Sequence, residues 1–239
     1  MHQRGNGKIY PCLQNKCELS REQISYFAKP LKAGCSFNVT AWIGASAHQQ
    51  IGTFTYLCSM RKLSMDELNR KTVAEFKGSE KVPVVVVLDN IRSMHNVGSV
   101  FRTADAFLLQ GIYLCGYTPQ PPHRDIHKTA LGATETVDWK YFPTATAAVQ
   151  QLKEEGYTVL AVEQADESIY LHRFEARSHQ KMAVVFGNEV SGVSSEVLDW
   201  CDGCIEIPQL GMKHSLNISV AAGIVLWELF KQLHTKNDA

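Results

Sequence analysis

The chain has 239 residues with 24 basic and 24 acidic side chains, so its formal net charge is zero. Hydrophobic residues make up 45% of the sequence and charged residues 20%, which is typical of a globular domain and argues against a disordered or fibrous chain. No apolar run reaches the roughly 18 residues that a membrane-spanning helix needs, and the first residues do not resemble a signal peptide. We therefore expect a cytoplasmic protein without a membrane partner.

Residues 1–59 differ from the rest of the chain in charge and pattern. They contain six Lys or Arg, two acidic residues and four of the seven cysteines, and show no sustained period of 2 or 3.6. One helix is predicted within them, at residues 20–27. This segment is either an extension upstream of a natural start at Met60 or a small accessory domain that binds substrate. In the first case, residues 60–239 should fold and act alone.

The cysteines predict neither a disulfide framework nor a metal site. Their number is odd and their spacing irregular, so reduced thiols are expected. Cys201 and Cys204 have the spacing of half a zinc site, but no second pair matches them. Buried thiols on either side of a strand are the favoured interpretation.

From residue 60 onward the pattern becomes regular, beginning with a capping box formed by Ser64 and Glu67 that predicts a helix to about Phe76, ended by Gly78. Strands are predicted at residues 84–88, 112–115, 137–142, 158–162, 182–186 and 203–207. Helices are predicted between them, at residues 97–108, 144–155, 194–200 and 215–233. Because strand and helix alternate, we expect an α/β fold with a mostly parallel six-stranded sheet and helices on both faces.

Three polar, glycine-bearing loops follow strands of this sheet. The first contains Asn96, Gly98 and Arg102, the second runs from Gly187 to Gly192, and the third ends at residues 215–217, where Ser215 is expected to cap the last helix. Since parallel strands end at the same edge, these loops should form one composite site. Read alone, Arg102 is either functional or paired with Asp105 on the surface. A dinucleotide site is excluded because no Gly-x-Gly-x-x-Gly follows the first strand.

Together the loops resemble the three motifs of the SpoU/TrmH branch of the SPOUT class of RNA methyltransferases. The matching residues are Asn96-x-Gly98-x-x-x-Arg102-Thr103-Ala104, Phe186-Gly187-Asn188-Glu189-x-x-Gly192, and Ile205-x-Ile207-Pro208 with Ser215-Leu216-Asn217-x-Ser219-x-Ala221. The resemblance covers about residues 83–233, in the right order, so residues 83–239 are expected to form the catalytic domain, with residues 60–82 as an N-terminal helix and linker.

The resemblance implies a C-terminal trefoil knot that binds S-adenosylmethionine, and methyl transfer to a ribose 2′-hydroxyl of tRNA or rRNA. The implied cofactor contacts are Val162, Glu163, Gly187, Ile207 and Leu216. Family members are usually homodimers that pack through their knots. Residues 156–164 and 206–209 look most like the enzymes that methylate the D-loop guanosine of tRNA. The alternative is a non-catalytic RNA-binding member of the same fold.

The family's proposed activator of the 2′-hydroxyl corresponds here to Arg102. Deprotonating a guanidinium at pH 7 would cost on the order of 8 kcal/mol, so we favour a cation that stabilises the developing alkoxide. The other expected catalytic residues, which orient the reactants, are Asn96, Glu189, Ser215 and Asn217, with Glu189 paired to Arg102 or to Asn96. Candidate RNA contacts, each of which could equally be plain surface, are Arg124, Lys128, Lys213 and His214.

Overall fold

The computed structural model describes residues 36–40, 53–57, 61–64, 66–177, 180–212 and 215–234, and the chain divides into two compact units, residues 1–69 and 70–239. In the first unit, strands β1 (Ser36–Thr40) and β2 (Thr53–Leu57) pair in antiparallel register. This hairpin was not apparent from the sequence pattern. The helix predicted at residues 20–27 lies outside the described residues.

The single helix predicted from residue 64 to about residue 76 is wrong. A 3-10 helix (Asp66–Leu68) is followed by Asn69 in the left-handed region, with φ 43°, and a separate helix α1 (Val73–Gly78) then begins. A second capping box explains the new start, because the side chains of Thr72 and Glu75 each bind the other residue's backbone N–H. The predicted end at Gly78 is confirmed.

The second unit is built on a parallel sheet of seven strands, one more than expected. They are β3 (Val82–Asp89), β4 (Leu109–Cys115), β5 (Trp139–Phe142), β6 (Thr158–Val162), β7 (Ile169–Tyr170), β8 (Met182–Phe186) and β9 (Gly203–Glu206), in the order β5-β4-β3-β8-β6-β9-β7. All six predicted strands are present. The additional strand, β7, has two residues, too few to produce a periodic pattern.

Helices cover both faces of this sheet, as predicted. They are α2 (Met94–Ala106), α3 (Arg124–Ala130), α4 (Ala133–Thr136), α5 (Ala145–Glu154), α6 (Ser195–Leu198) and α7 (Ile218–His234). Two of them, α3 and α4, were missed because the three prolines at residues 119–122 favour a loop there. Both are short, and a left-handed Leu131 and Gly132 separate them.

The core lies in two layers because successive β3 side chains point to opposite faces. Val84, Val86 and Leu88 pack in the layer that includes α2 and α7, while Val85 and Val87 pack in the layer that includes α5. All five valine and leucine side chains are buried, which accounts for the unbroken β-branched run in the sequence. The α/β class with a parallel, doubly covered sheet is thereby confirmed.

The partly buried thiols Cys201 and Cys204 both donate hydrogen bonds to backbone carbonyls. Cys201 donates to the Val197 carbonyl at 3.3 Å and Cys204 donates to the Glu163 carbonyl at 3.2 Å, and burial raises the pKa of Cys201 to about 12. No three His, Cys, Asp or Glu side chains within the described ranges lie close enough to hold a metal ion. Over the same ranges, no helix has the length and apolarity needed to cross a membrane.

Candidate active site

The ends of four neighbouring strands lie in one row across the sheet. Leu88 of β3 is in register with Phe186 of β8, which is in register with Val162 of β6, which in turn faces Ile205 of β9. The loops that follow β3, β8 and β9 are the three that carry the sequence motifs. These loops therefore leave the sheet at the same carboxyl edge, as the sequence predicted.

Glu189, in the loop after β8, binds the loop after β3 through both carboxylate oxygens. Its Oε2 accepts from the backbone N–H of Arg92 at 2.9 Å, and its Oε1 accepts from the backbone N–H of Ser93 at 3.1 Å and from Asn96 Nδ2 at 3.0 Å. Partial burial opposes ionisation of Glu189, but these hydrogen bonds outweigh it and hold the pKa of the carboxyl below its usual value. Glu189 is thus an ionised acceptor at neutral pH.

Asn96 connects the first and third loops. It lies in the first turn of α2, where Ser93 rather than Asn96 is the cap, and its side chain is 8% exposed. Its Oδ1 accepts from Asn217 Nδ2 at 3.2 Å. Glu189, Asn96 and Asn217 therefore form a continuous chain of side-chain hydrogen bonds across three motifs.

The predicted cap of the last helix, Ser215, is wrong. Helix α7 begins at Ile218, and the side chain of Asn217 accepts from the backbone N–H of Ser219 at 2.9 Å, which is the position of a capping bond. Ser215 is exposed and its side chain makes no hydrogen bond within the part of the chain that the structure describes. Asn217 thus both caps α7 and orients Asn96.

Arg102 lies on the exposed side of α2, two turns beyond Asn96. Within the described ranges, its side chain makes no hydrogen bond and no ion pair, so the alternative of a surface pair with Asp105 is not observed. Asp105 accepts instead from the hydroxyl of Thr136. Of the two partners considered for Glu189, the structure shows Asn96, which leaves the guanidinium of Arg102 available to a ligand.

The residues expected to hold a cofactor lie along the same edge. Val162 ends β6 and Glu163 follows it, Gly187 follows β8, and Ile207 follows β9, whereas Leu216 precedes α7 and is 39% exposed. The Glu163 carboxylate is already occupied, since it accepts from the backbone N–H groups of Val193 at 3.0 Å and of Gln164 at 2.9 Å. Glu163 therefore ties β6 to the end of the second loop.

Of the candidate RNA contacts, only two lie in described parts of the chain. Arg124 is exposed at the start of α3, and Lys128, one turn later, pairs with Asp125 at 2.8 Å. Lys213 and His214 lie outside the described residues.

Helices α2 and α3 are in close contact, because a Cβ placed on Gly98 would lie 2.3 Å from the Ile126 carbonyl oxygen.

Sequence reasoning missed the role of Asn188, whose buried side chain joins three loops. Its Nδ2 donates to the Asn90 carbonyl at 2.7 Å and to the Tyr117 hydroxyl at 2.9 Å, and its Oδ1 accepts from the N–H of Val190 at 2.8 Å. Asn188 was visible in the sequence only as one polar residue of a glycine-rich loop. Its partners in the loops after β3 and β4 could not be inferred from spacing.

Comparison with known proteins places this site in a family context. A family model described as the SpoU rRNA Methylase family matches residues 83–227. A protein of Staphylococcus haemolyticus assigned to the TrmH family of tRNA/rRNA methyltransferases is 32% identical over 162 residues, which is 68% of this chain and 64% of the relative. The chain thus spans less than two thirds of that relative's length.

Several solved structures with the same fold have more than 25% sequence identity to this chain. A TrmH/SpoU tRNA modifying enzyme of A. aeolicus superposes with a TM-score of 0.62 at 27% identity, covering 69% of this chain and 82% of that one. An AdoMet-bound rRNA methyltransferase of Sinorhizobium meliloti superposes with a TM-score of 0.58 at 26% identity, covering 64% of this chain and 61% of that one. A protein studied for 2-OH methylation of C/U34 on tRNA superposes with a TM-score of 0.57 at 27% identity, covering 64% of this chain and 97% of that one.

Proposed function

Because the chain belongs to the SpoU rRNA methylase family, we propose that it transfers a methyl group from S-adenosylmethionine to a ribose 2′-hydroxyl of tRNA or rRNA. The family expected from the three motifs is thereby confirmed. Arg102 lies on the same helix as Asn96, and within the described ranges its side chain makes no hydrogen bond and no ion pair. The observation that carries the proposed activity is the hydrogen-bonded chain of Glu189, Asn96 and Asn217. Each of its members comes from one of those motifs.

We expect the carboxyl edge to hold S-adenosylmethionine through backbone groups more than through side chains, as the family resemblance implies. A Cβ on Gly187 would lie 2.1 Å from the backbone of Gly192 and Val193, so no side chain can stand there. Half-buried Val162 and Ile207, at the ends of the next two strands of the sheet, would offer apolar walls, and Leu216 would close the site from the third loop. Bound there, the cofactor would supply an electrophilic methyl group on a sulfonium. Support from relatives is the AdoMet-bound structure of the S. meliloti enzyme.

In this proposal Arg102 stabilises the negative charge that develops on the attacking 2′-oxygen. A free guanidinium can also grip an adjacent phosphate with two N–H groups, which would position the nucleotide. The proton of the hydroxyl leaves through water or phosphate. The rate then depends on alignment and charge stabilisation, and no side chain acts as a strong base.

Glu189, Asn96, Ser215 and Asn217 are orienting residues in this mechanism. An ionised Glu189 that already accepts three N–H bonds has little capacity to take another proton at neutral pH. It fixes the first turn of α2, the helix on which Arg102 is carried. Asn217 reaches the same turn from the other side through Asn96. For Ser215, exposed beside Leu216, a contact with the substrate is the remaining role.

We also infer a homodimer that packs through the knot region. Val220, Ile224 and Trp227 form one apolar face of α7, with exposed fractions of 50%, 39% and 52%. The same face borders a cavity of about 600 Å³ that Ile207 and Pro208 line from the third loop. A contiguous exposed apolar face beside a binding edge is typical of an interface. The knot itself stays a prediction from the family.

Labelled S-adenosylmethionine incubated with total tRNA and with rRNA from a strain lacking this gene tests the activity. Methyl incorporation that alkali leaves within dinucleotides would show 2′-O-methylation, because a methylated 2′-oxygen cannot assist cleavage. Mapping the modified position then separates the D-loop guanosine, which we favour, from the wobble position and from rRNA. Binding without any transfer would favour the alternative of a non-catalytic RNA-binding member.

A further inference from the structure

Tyr117, the second residue after β4, is an exposed aromatic side chain that the three motifs leave unexplained. It is 62% exposed, more than any other Phe, Tyr or Trp in the described ranges from residue 61 onward. Exposed single apolar residues are common and need no explanation when they are mobile. Tyr117 differs because its position is fixed by hydrogen bonds at both ends.

The backbone N–H of Tyr117 donates to Asn90 Oδ1 at 3.1 Å, and its hydroxyl accepts from Asn188 Nδ2 at 2.9 Å. The ring is therefore held between the loop after β3 and the loop after β8. Gly116 makes the first contact feasible, since a Cβ there would lie 2.0 Å from Asn90 Oδ1. Without a side chain at residue 116, the Asn90 amide can approach the start of the Tyr117 loop.

Both anchors are themselves held in place. Asn188 is 8% exposed, and its side-chain carbonyl accepts from the N–H groups of Val190 and Ser191 at 2.8 and 3.2 Å. Asn90 donates through Nδ2 to Asp89, a carboxylate that is only 3% exposed. Tyr117 thus presents an exposed ring on a rigid support, and ordering such a ring on binding costs little side-chain entropy.

The position of this ring relates it to the substrate and not to the cofactor. In the sheet, β4 lies on the far side of β3 from β8, β6 and β9, whose ends carry the proposed cofactor contacts. Asn188, which holds the ring, directly precedes Glu189, and Glu189 binds the backbone of exposed Arg92. A flat, exposed ring held by two side-chain amides suits a nucleobase, which has a π-face and polar edges, better than it suits an apolar protein surface.

We propose that Tyr117 is a stacking platform for a nucleobase of the RNA beside the methylated ribose. The inference rests on the proposed function, because it needs an RNA substrate. It gives the loops after β3, β4 and β8 a common role, in which Asn90 and Asn188 hold the ring and the ring holds the base. Asn188 is then a positioning residue, while Tyr117 makes the contact.

The test measures methyl transfer to bulk tRNA and rRNA with full-length Tyr117→Ala, Tyr117→Phe and Tyr117→Trp. Alanine should raise the KM for RNA about 10-fold, as expected when one base loses an aromatic partner, with an unchanged Kd for S-adenosylmethionine by calorimetry. Tyr117→Phe should raise the KM for RNA about 2-fold, because the ring remains but its hydrogen bond with Asn188 is lost. Tryptophan should bind RNA at least as well as phenylalanine. Tyr141→Ala, at a tyrosine 44% exposed on β5, is the matched control and should change neither constant.

Three outcomes would overturn the stacking role. A phenylalanine variant as impaired as alanine would mean that the hydroxyl, and not the ring, acts. An equal loss of cofactor affinity would mean that Tyr117 supports the fold or the cofactor site. An unchanged KM for RNA in Tyr117→Ala would show that Tyr117 makes no contact with the RNA that contributes to binding. If the wild-type protein itself transfers no methyl group to either RNA, the proposed function fails first, and that result is distinct from all three.

Discussion

The side chain of Asn96 donates to the carboxylate of Glu189 at 3.0 Å, although 93 positions separate the two residues in sequence. This bond joins the first turn of α2 to the loop after β8. Since Arg102 lies on the same helix, we expect its placement to depend on a contact made in the first turn of that helix. Several measurable consequences follow from this arrangement and from its neighbours.

Replacing Arg102 with Ala should lower kcat by about 100- to 1000-fold, the usual loss when one stabilising donor is removed from a developing oxyanion. The affinity for S-adenosylmethionine should stay nearly constant, because Arg102 does not lie at the proposed cofactor edge. Single-turnover methyl transfer and calorimetry measure the two quantities. Arg102→Lys retains the charge without the bidentate geometry, so its kcat should lie between those of the wild type and the alanine variant. Full turnover by the alanine variant would refute the assignment.

Replacing Glu189 with Gln should destabilise the fold by about 1 kcal/mol, a value kept low because Glu189 is an exposed residue and solvent screens its charge. The amide can accept at one oxygen only, while the carboxylate accepts three N–H bonds. Urea unfolding at pH 7 measures the difference. A variant as stable as the wild type would show that these bonds contribute nothing net.

The same residue predicts a pH dependence. Since the pKa of Glu189 is lowered in the folded protein, its contribution is present above the unfolded value, near 4.3, and is lost as the pH falls through the folded value. The wild-type free energy of unfolding should therefore approach that of Glu189→Gln in acid. Parallel unfolding series from pH 7 to pH 3 test this, and a constant gap between the two proteins would contradict it.

Two glycines inside helices should respond to alanine with opposite signs. A Cβ on Gly98 would lie 2.1 Å from Thr129 Oγ1 and 2.3 Å from the Ile126 carbonyl oxygen, so Gly98→Ala must push α2 and α3 apart and should cost about 1–3 kcal/mol. A Cβ on Gly223 would meet nothing of its own protomer within 4 Å, so Gly223→Ala should stabilise α7 of the monomeric chain by about 0.5–1 kcal/mol. Thermal unfolding measures the change in stability of each variant relative to the wild type. Equal shifts of the same sign would argue against the close helix contact.

The inferred dimer predicts that Trp227→Glu yields a monomer, because a carboxylate would be buried in the apolar face of α7. Light scattering coupled to size-exclusion chromatography measures the mass of wild type and variant. Trp200→Glu is the matched control, since Trp200 is 44% exposed but follows α6. If both variants and the wild type have the same mass, α7 is not the interface.

The sequence predicted the sheet well because β-branched runs and buried strands leave a strong periodic signal. The termini of Thr158–Val162 and Met182–Phe186 agree with the structure to the residue. Elements whose stability comes from tertiary contact were not visible in this way. Helix α3 begins in a proline-rich loop and is fixed by packing against Gly98, and β7 has only two residues. Their existence depends on partners that local patterns do not encode.

The candidate site, like the fold, could be predicted from the sequence only in part. Motif order and the common edge of parallel strands predicted that Asn96, Glu189 and Asn217 would meet. Which oxygen pairs with which N–H, and that Asn217 rather than Ser215 caps α7, depends on geometry within about one ångström. The contacts of Asn188 and Tyr117 join the ends of strands that are distant in sequence, and no spacing rule relates them.

The link between Asn217 and Asn96 spans 121 positions. During synthesis, the loop that carries Asn96 leaves the ribosome long before the start of α7, and β8 must still be inserted between β3 and β6. Contacts at such sequence separations form late and slowly. A nascent chain therefore has no assembled site until residue 217 has emerged.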